Sequence, residues 1–185
     1  MGAGEVAARK AGWLLRANAR VIMVAPGLGA SAGRMVDEGK VLHVAARFTS
    51  DILRGAVLVI AATDDVAVNQ EVSMAANALH LPVNVVDNPG LCSFVVPSIV
   101  DRSPVIVAIG SSGKAPVLAR QLRTRLEGLI PQAYGRLAAL AGAFREQAKQ
   151  RFVDVESRRR FWENVFEGPI AEMVFSGREA AARHA

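Results

Sequence analysis

AVLVIAATDDVAVNQEVSMAANALHLPVNVVD, residues 56–87, decides the fold class of this chain. Its first seven residues, Ala56 to Ala62, are continuously apolar, the pattern of a strand covered on both faces. Thr63, Asp64 and Asp65 then suit a helix start, where a side-chain oxygen caps free N–H groups and a carboxylate meets the positive end of the dipole. Residues 63–80 read as that helix, and LPVNVVD returns as a strand. A strand, a crossover helix and a strand at this spacing form a parallel βαβ unit, so the sequence predicts an α/β fold with an open, doubly wound, Rossmann-like parallel sheet.

The same alternation extends upstream. RVIMVA, residues 20–25, reads as a buried strand broken by Pro26-Gly27, and a second strand is expected around residues 41–45. A short helical piece is expected near residues 51–53. Residues 4–18 read as a helix in which Val6, Ala7, Trp13 and Leu14 share one face. In front of that helix, Gly2, Gly4 and Ala7 spell G-x-G-x-x-A, the glycine pattern that seats a dinucleotide pyrophosphate at a strand-to-helix turn. Taken alone, a glycine-rich start is equally well a flexible terminus. The pattern needs a strand before it, and only Met1 stands there. The expectation is a chain that starts late, with its first strand missing and the neighbouring strands left with unpaired backbone groups. No acidic residue follows the next strand, where Val24, Ala25 and Pro26 stand, so NAD and NADP are not told apart.

Downstream of Asp87 the pattern changes. SFVVPSIV and PVIVAIG are separated only by Asp101-Arg102-Ser103, too short for a helical crossover, and read as an antiparallel hairpin. Two strands alone leave their edges open, so this hairpin is expected to pair with another subunit. GSSGKAP, residues 110–116, opens a helix with an apolar stripe of Leu118, Leu122, Leu126 and Leu129. Beyond Pro131 the chain reads as helical, with a fraying tail at REAAARHA. The expected regions are 1–96, a dinucleotide-binding domain; 97–127, a dimerisation region; and 128–185, helical.

Net charge is +5 over 185 residues, which favours an anionic partner. Aromatic residues do not interleave with the basic ones, so a nucleic-acid platform is disfavoured. No apolar run approaches the roughly 18 residues that span a bilayer. A single cysteine, Cys92, excludes an intrachain disulfide, and His43, His80 and His184 lie at no metal-ligand spacing. A cytoplasmic, membrane-free protein with no resident metal is expected.

Three stretches can carry chemistry, and each has a plainer reading. Thr63 and Asp64 end a strand where an open parallel sheet binds ligands, yet they can be helix caps only. Asp87 lies at the same edge, where a carboxylate can move protons, yet Asp87-Asn88-Pro89-Gly90 is also an ordinary turn. GSSGKAP offers hydroxyls, free N–H groups and Lys114 to an anion, with helix capping by Ser112 as the alternative.

In order, GAGEVAARKA, IAATDD-x-x-VNQ, NVVD, SFVVPSIVDRSP, SSGKAPVLAR and RRRFWE resemble the precorrin-2 dehydrogenase/ferrochelatase part of siroheme synthase, from Gly2 to about Phe166. The resemblance implies two steps in one crevice: NAD accepts a hydride from precorrin-2 to give sirohydrochlorin, and ferrous iron, a substrate, then enters that macrocycle to give siroheme. It places Gly2, Gly4, Glu5 and Val6 along the cofactor, Pro26 and Gly27 near its adenosine end, and Thr63 and Asp64 near its middle. It makes Asp87 the proton-handling residue. Ser111 matches a serine that some members phosphorylate, facing the tetrapyrrole. Arg102, Lys114 and Arg120 become candidate contacts to the carboxylates of the tetrapyrrole substrate, and a homodimer is implied. A dehydrogenase without chelatase activity and a non-catalytic dinucleotide sensor remain as alternatives.

Overall fold

The computed structural model describes all residues from 1 to 185. They form two compact units, Met1–Val96 and Pro97–Ala185.

In the first unit, α1 (Glu5–Arg16) is followed by β1 (Ile22–Val24), α2 (Ala30–Asp37) and β2 (Leu42–Val44). A short 3-10 turn at Ser50–Leu53 leads to β3 (Val59–Ala61), α3 (Val66–Ala78) and β4 (Val83–Val85). β1 pairs with β2 and β3 with β4, both parallel, with Met23 opposite His43 and Ile60 opposite Asn84. Between these two pairs lies the main chain of Met1 and Gly2. The Met1 α-amino group donates to Ile60 O at 2.7 Å, Ala62 N donates to Met1 O at 2.9 Å, and Gly2 N donates to Val24 O at 2.9 Å. The expected gap of unpaired backbone is therefore closed at this level: Met1–Gly2 bonds to β1 on one side and to β3 on the other. The order β2, β1, Met1–Gly2, β3, β4 is that of a doubly wound sheet.

Two apolar cores cover this sheet. Ala8, Ala11, Val21, Met23 and Val41 build one around α1 and β1. Val59, Ala61, Val72, Ala76, Val83 and Val85 build the other between α3 and the strands. The buried face of α1 is the alanine face, Ala7, Ala8 and Ala11, while Val6, Trp13 and Leu14 are only half-buried. That differs from the expected face because alanines let the helix approach the strands closely. Full coverage of β1 also fails within the chain, since Ile22 keeps 49% of its surface exposed, as does its partner Leu42 on β2.

In the second unit, β5 (Ser98–Arg102) and β6 (Val105–Ile109) form the antiparallel hairpin, with Val100 opposite Val107. Three longer helices and two short ones follow: α4 (Pro116–Leu129), α5 (Ala133–Arg151), α6 (Val155–Glu167), α7 (Pro169–Phe175) and α8 (Glu179–His184). Gly135 lets α5 press on the hairpin, because a Cβ there would collide with Arg102 O and lie 2.8 Å from Ser103 O. The tail does not fray. α8 buries Ala182 against Leu137, Leu140 and Val174, and Glu179 pairs with Arg136 at 2.7 Å. The leucine stripe of α4 is not core within this chain, with Leu118 51% and Leu129 72% exposed.

Candidate functional site

The carboxyl ends of the parallel strands gather the first unit's candidate residues on one edge. Gly2 stands at φ +91°, a conformation that favours glycine, and a Cβ on it would collide with Ala62 O. The turn is thus pressed against the end of β3. Gly4 is the residue before α1, caps it with no side chain, and has open space where a Cβ would stand. The first N–H groups of α1 therefore face a space with no side chain of Gly4 in it, which is what an approaching pyrophosphate requires. Gly29 N donates to Ala3 O at 2.9 Å, which ties the Pro26–Gly29 loop after β1 to the same turn. Pro26 and Gly27 are both exposed there.

Thr63 is fixed by one buried partner. Asn69, 7% exposed, accepts from the Thr63 hydroxyl at 2.9 Å and from Thr63 N at 3.4 Å, and donates to Thr63 O at 2.9 Å. The cap of α3 is Asp65, whose Oδ1 accepts from Ala67 N and Val68 N. Asp64 is exposed and caps nothing. Thr63 and Asp64 thus stand outside the capping duty that the sequence offers as their plainer reading, although Thr63 Oγ1 still bonds Asp65 O at 3.0 Å.

Asp87 follows β4, exposed, at φ +57°. Lys10, half-buried on α1 and 5.0 Å from the Trp13 ring centre, lies within electrostatic reach of both Asp87 and Cys92. Burial first, and then the Arg9 charge, lower the pKa of Lys10 below the usual lysine range. Lys10 is absent from the sequence candidates. The only signal for it is its place two turns into the fingerprint helix, and helical spacing alone does not say that this face meets the Asp87 turn. Glu5, expected along the cofactor, turns its carboxylate to the start of α2. Its carboxylate accepts from Ser31 Oγ at 2.7 Å and Ser31 N at 3.3 Å, bonds that hold its pKa below the usual carboxylate range. Val6 is half-buried on the same helix.

In the second unit, Ser111 Oγ accepts from Ala115 N at 3.0 Å and so shapes the loop before α4, a part the sequence reading gives to Ser112. Lys114 and Arg120 are exposed. Arg102 serves the fold instead: only 8% exposed, it donates to Ile130 O, Glu127 O and Asp101 O and so caps the end of α4. No group of three or more His, Cys, Asp or Glu side chains is placed to hold a metal ion. No helix is long and apolar enough to cross a membrane.

Comparison with known proteins adds two family matches. Residues 1–98 match the family described as "Putative NAD(P)-binding", and residues 133–185 match the sirohaem synthase dimerisation region. Siroheme synthase of Nitrosospira multiformis is 59% identical over 98% of this chain and 39% of its own length. That of Methylobacillus flagellatus is 57% identical over 100% of the chain and 40% of its own length. The chain thus spans about two fifths of the curated relatives it matches. Among solved structures, SirC, precorrin-2 dehydrogenase, superposes with a TM-score of 0.73 at 20% identity, covering 89% of this chain and 81% of that one, a likeness of fold.

Proposed function

From the premise that the chain belongs to this NAD(P)-binding family and carries the sirohaem synthase dimerisation region, we propose that it dehydrogenates precorrin-2 to sirohydrochlorin. The observation that carries the reading is the turn at Gly2–Gly4, clamped to both halves of the sheet and open in front of α1. A nicotinamide dinucleotide, taken to be NAD, supplies the hydride acceptor when bound there. Gly2 and Gly4 give it close approach to the backbone, Pro26 and Gly27 border its adenosine end, and Thr63 and Asp64 border its middle. Glu5 supports this seat indirectly, by holding the start of α2 through Ser31.

Loss of a hydride from precorrin-2 must be balanced by loss of a proton. Asp87, exposed at the strand edge, takes that proton. In the second unit Ser111, Lys114 and Arg120 are the contacts for the substrate's carboxylates. Arg102 is not counted among them, since its guanidinium is engaged by backbone carbonyls. Insertion of ferrous iron, to give siroheme, follows in the same reading, again with Asp87 receiving the protons that the macrocycle releases. The acting form is a homodimer in the cytoplasm. Exposed Ile99 and Ile106 on the hairpin, with Val117, Leu118, Leu122 and Leu129 on α4, support the dimer as an apolar surface that a single chain leaves in water.

Precorrin-2 and NAD mixed with the protein should give NADH absorbance, and ferrous iron added afterwards should give the siroheme spectrum. NADH without siroheme reduces the activity to dehydrogenation, and no NADH with dinucleotide still bound leaves a sensor. Asp87→Asn should lower the NADH rate by about a hundredfold or more, and an unchanged rate removes Asp87 from the chemistry.

A further inference from the structure

We propose that the second unit carries a binding site for a small amphipathic anion, a ligand with an apolar body and one acidic head. The site is a cavity of about 370 Å³, open to solvent on one side and lined by α5, α6, α7 and α8. Its walls include Phe144, Phe152, Phe161, Trp162 and Val165. Three of these rings, Phe152, Phe161 and Trp162, are already in contact in series. Phe152 stacks on Phe161 at 5.0 Å between centres, and Phe161 meets Trp162 edge-on at 4.9 Å. The lining is therefore a fixed aromatic surface.

Charge sets the class of occupant. Arg151 and Arg183 both line the cavity, both are exposed, and neither has a side-chain hydrogen bond or an ion pair. The arginines of α6 differ. Arg159 and Arg160 pair with Glu156, and Arg158 donates to Phe152 O. Two unpaired guanidiniums beside an aromatic cavity match one anionic group attached to an apolar body, and a planar carboxylate or sulfonate can be gripped by both nitrogens of a guanidinium. Ligand pockets run from roughly 300 to 1,000 Å³, so this cavity takes one or two rings or a medium acyl chain. A tetrapyrrole is too large for it, which separates this site from the substrate of the proposed reaction.

The probes are naphthalene-2-sulfonate and decanoate, one flat and one chain-like, titrated into the full chain carrying Trp13→Phe. Trp162 is then the only tryptophan. At least one probe should shift or quench Trp162 emission saturably and raise the melting temperature. Arg151→Gln with Arg183→Gln, both on the surface, should leave melting of the free protein unchanged and weaken binding about tenfold or more. Whichever probe binds tighter assigns the body as aromatic or acyl. The proposal fails if neither probe gives a saturable change, if the arginine variant binds equally well, or if 2-naphthylmethanol binds as tightly as the sulfonate. It also fails if Trp162 emission changes with protein concentration alone, because a second copy then fills the cavity. No dinucleotide or tetrapyrrole enters this test, so its result is independent of the dehydrogenase reading.

Discussion

The two glycine-bearing loops of this chain are held in different ways. The loop at residues 1–4 is held by main chain: Met1 and Gly2 bond to Ile60, Ala62 and Val24, and Ala3 O receives Gly29 N. None of these hydrogen bonds uses a side chain, although Ala3 is buried in one core and Met1 packs against the other. The loop at residues 110–116 is held by one main-chain bond, Lys114 N to Ser111 O at 3.0 Å, and by one hydroxyl, Ser111 Oγ, which accepts from Ala115 N, around two left-handed residues, Ser112 at φ +52° and Gly113 at φ +76°. Its other side chains, Ser112 and Lys114, are exposed. A main-chain clamp gives a rigid seat of one shape, suited to a ligand whose pyrophosphate never varies. A hold that rests in part on a side chain gives a loop that can be adjusted and modified, suited to anions of several shapes. The two should fail under different mutations.

The clamp fails by addition. Gly2→Ala puts a Cβ into Ala62 O on a residue at φ +91°, so either the turn leaves β3 or the strand end moves. The cost should be about 3 kcal/mol, from overpacking and left-handed strain together. Dinucleotide affinity, measured by calorimetry, should fall at least about a hundredfold. If Gly2→Ala binds and melts like the parent, the turn is not clamped as described.

A smaller break comes from Asn69→Ala, which removes the one side chain that fixes Thr63 through three hydrogen bonds. Losing these partners at half-buried Thr63 should cost about 1–2 kcal/mol. The loss should weaken dinucleotide binding without touching the main-chain clamp. Asn69→Asp, which keeps the acceptor and loses the donor, should fall between parent and alanine. Smaller again is Ser111→Ala, a single exchanged bond worth about 1 kcal/mol. Its melting shift should be the least of the three, and a larger one would mean that the second loop is as rigid as the first.

The sequence makes some of this legible and hides the rest for identifiable reasons. Strand-helix alternation over residues 20–87 is written in apolar runs and turn residues, so the order of elements and the parallel class follow directly. What covers an apolar face is not written there. Leu118, Leu122 and Leu129 have the spacing of a core stripe and stand exposed in the single chain, because periodicity states only that one face is apolar. The tail carries no large apolar residue, yet α8 is anchored by Ala182 and by Glu179 to Arg136. An alanine contact of that kind leaves no pattern. Arg102 reads as an exposed turn residue of a basic protein, and only the fold shows three carbonyls around it. The long reach from Asn69 back to Thr63 is hidden too, although both lie in the stretch that decides the fold.

The weakest hold is one that a proton alone removes. Asp154 caps α6 by accepting from Ser157 N at 2.7 Å, and that backbone bond, followed by the Ser157 side chain, lowers its pKa below the ordinary 3.8. The folded pKa lies below the unfolded one, so the cap's contribution is complete above pH 3.8 and is lost as pH falls through the lowered folded value. Asp154→Asn keeps an acceptor at the cap but cannot titrate there. Parent and variant should therefore differ in melting temperature at neutral pH, with the parent higher, and converge as the pH is taken below 3.8. Ser157 N is bonded in both proteins at neutral pH, so the gap measures the carboxylate's charge at the helix start and not the hydrogen bond itself. A gap that stays constant down the acid limb would show that geometry alone holds this turn, as it holds the loop at Gly2.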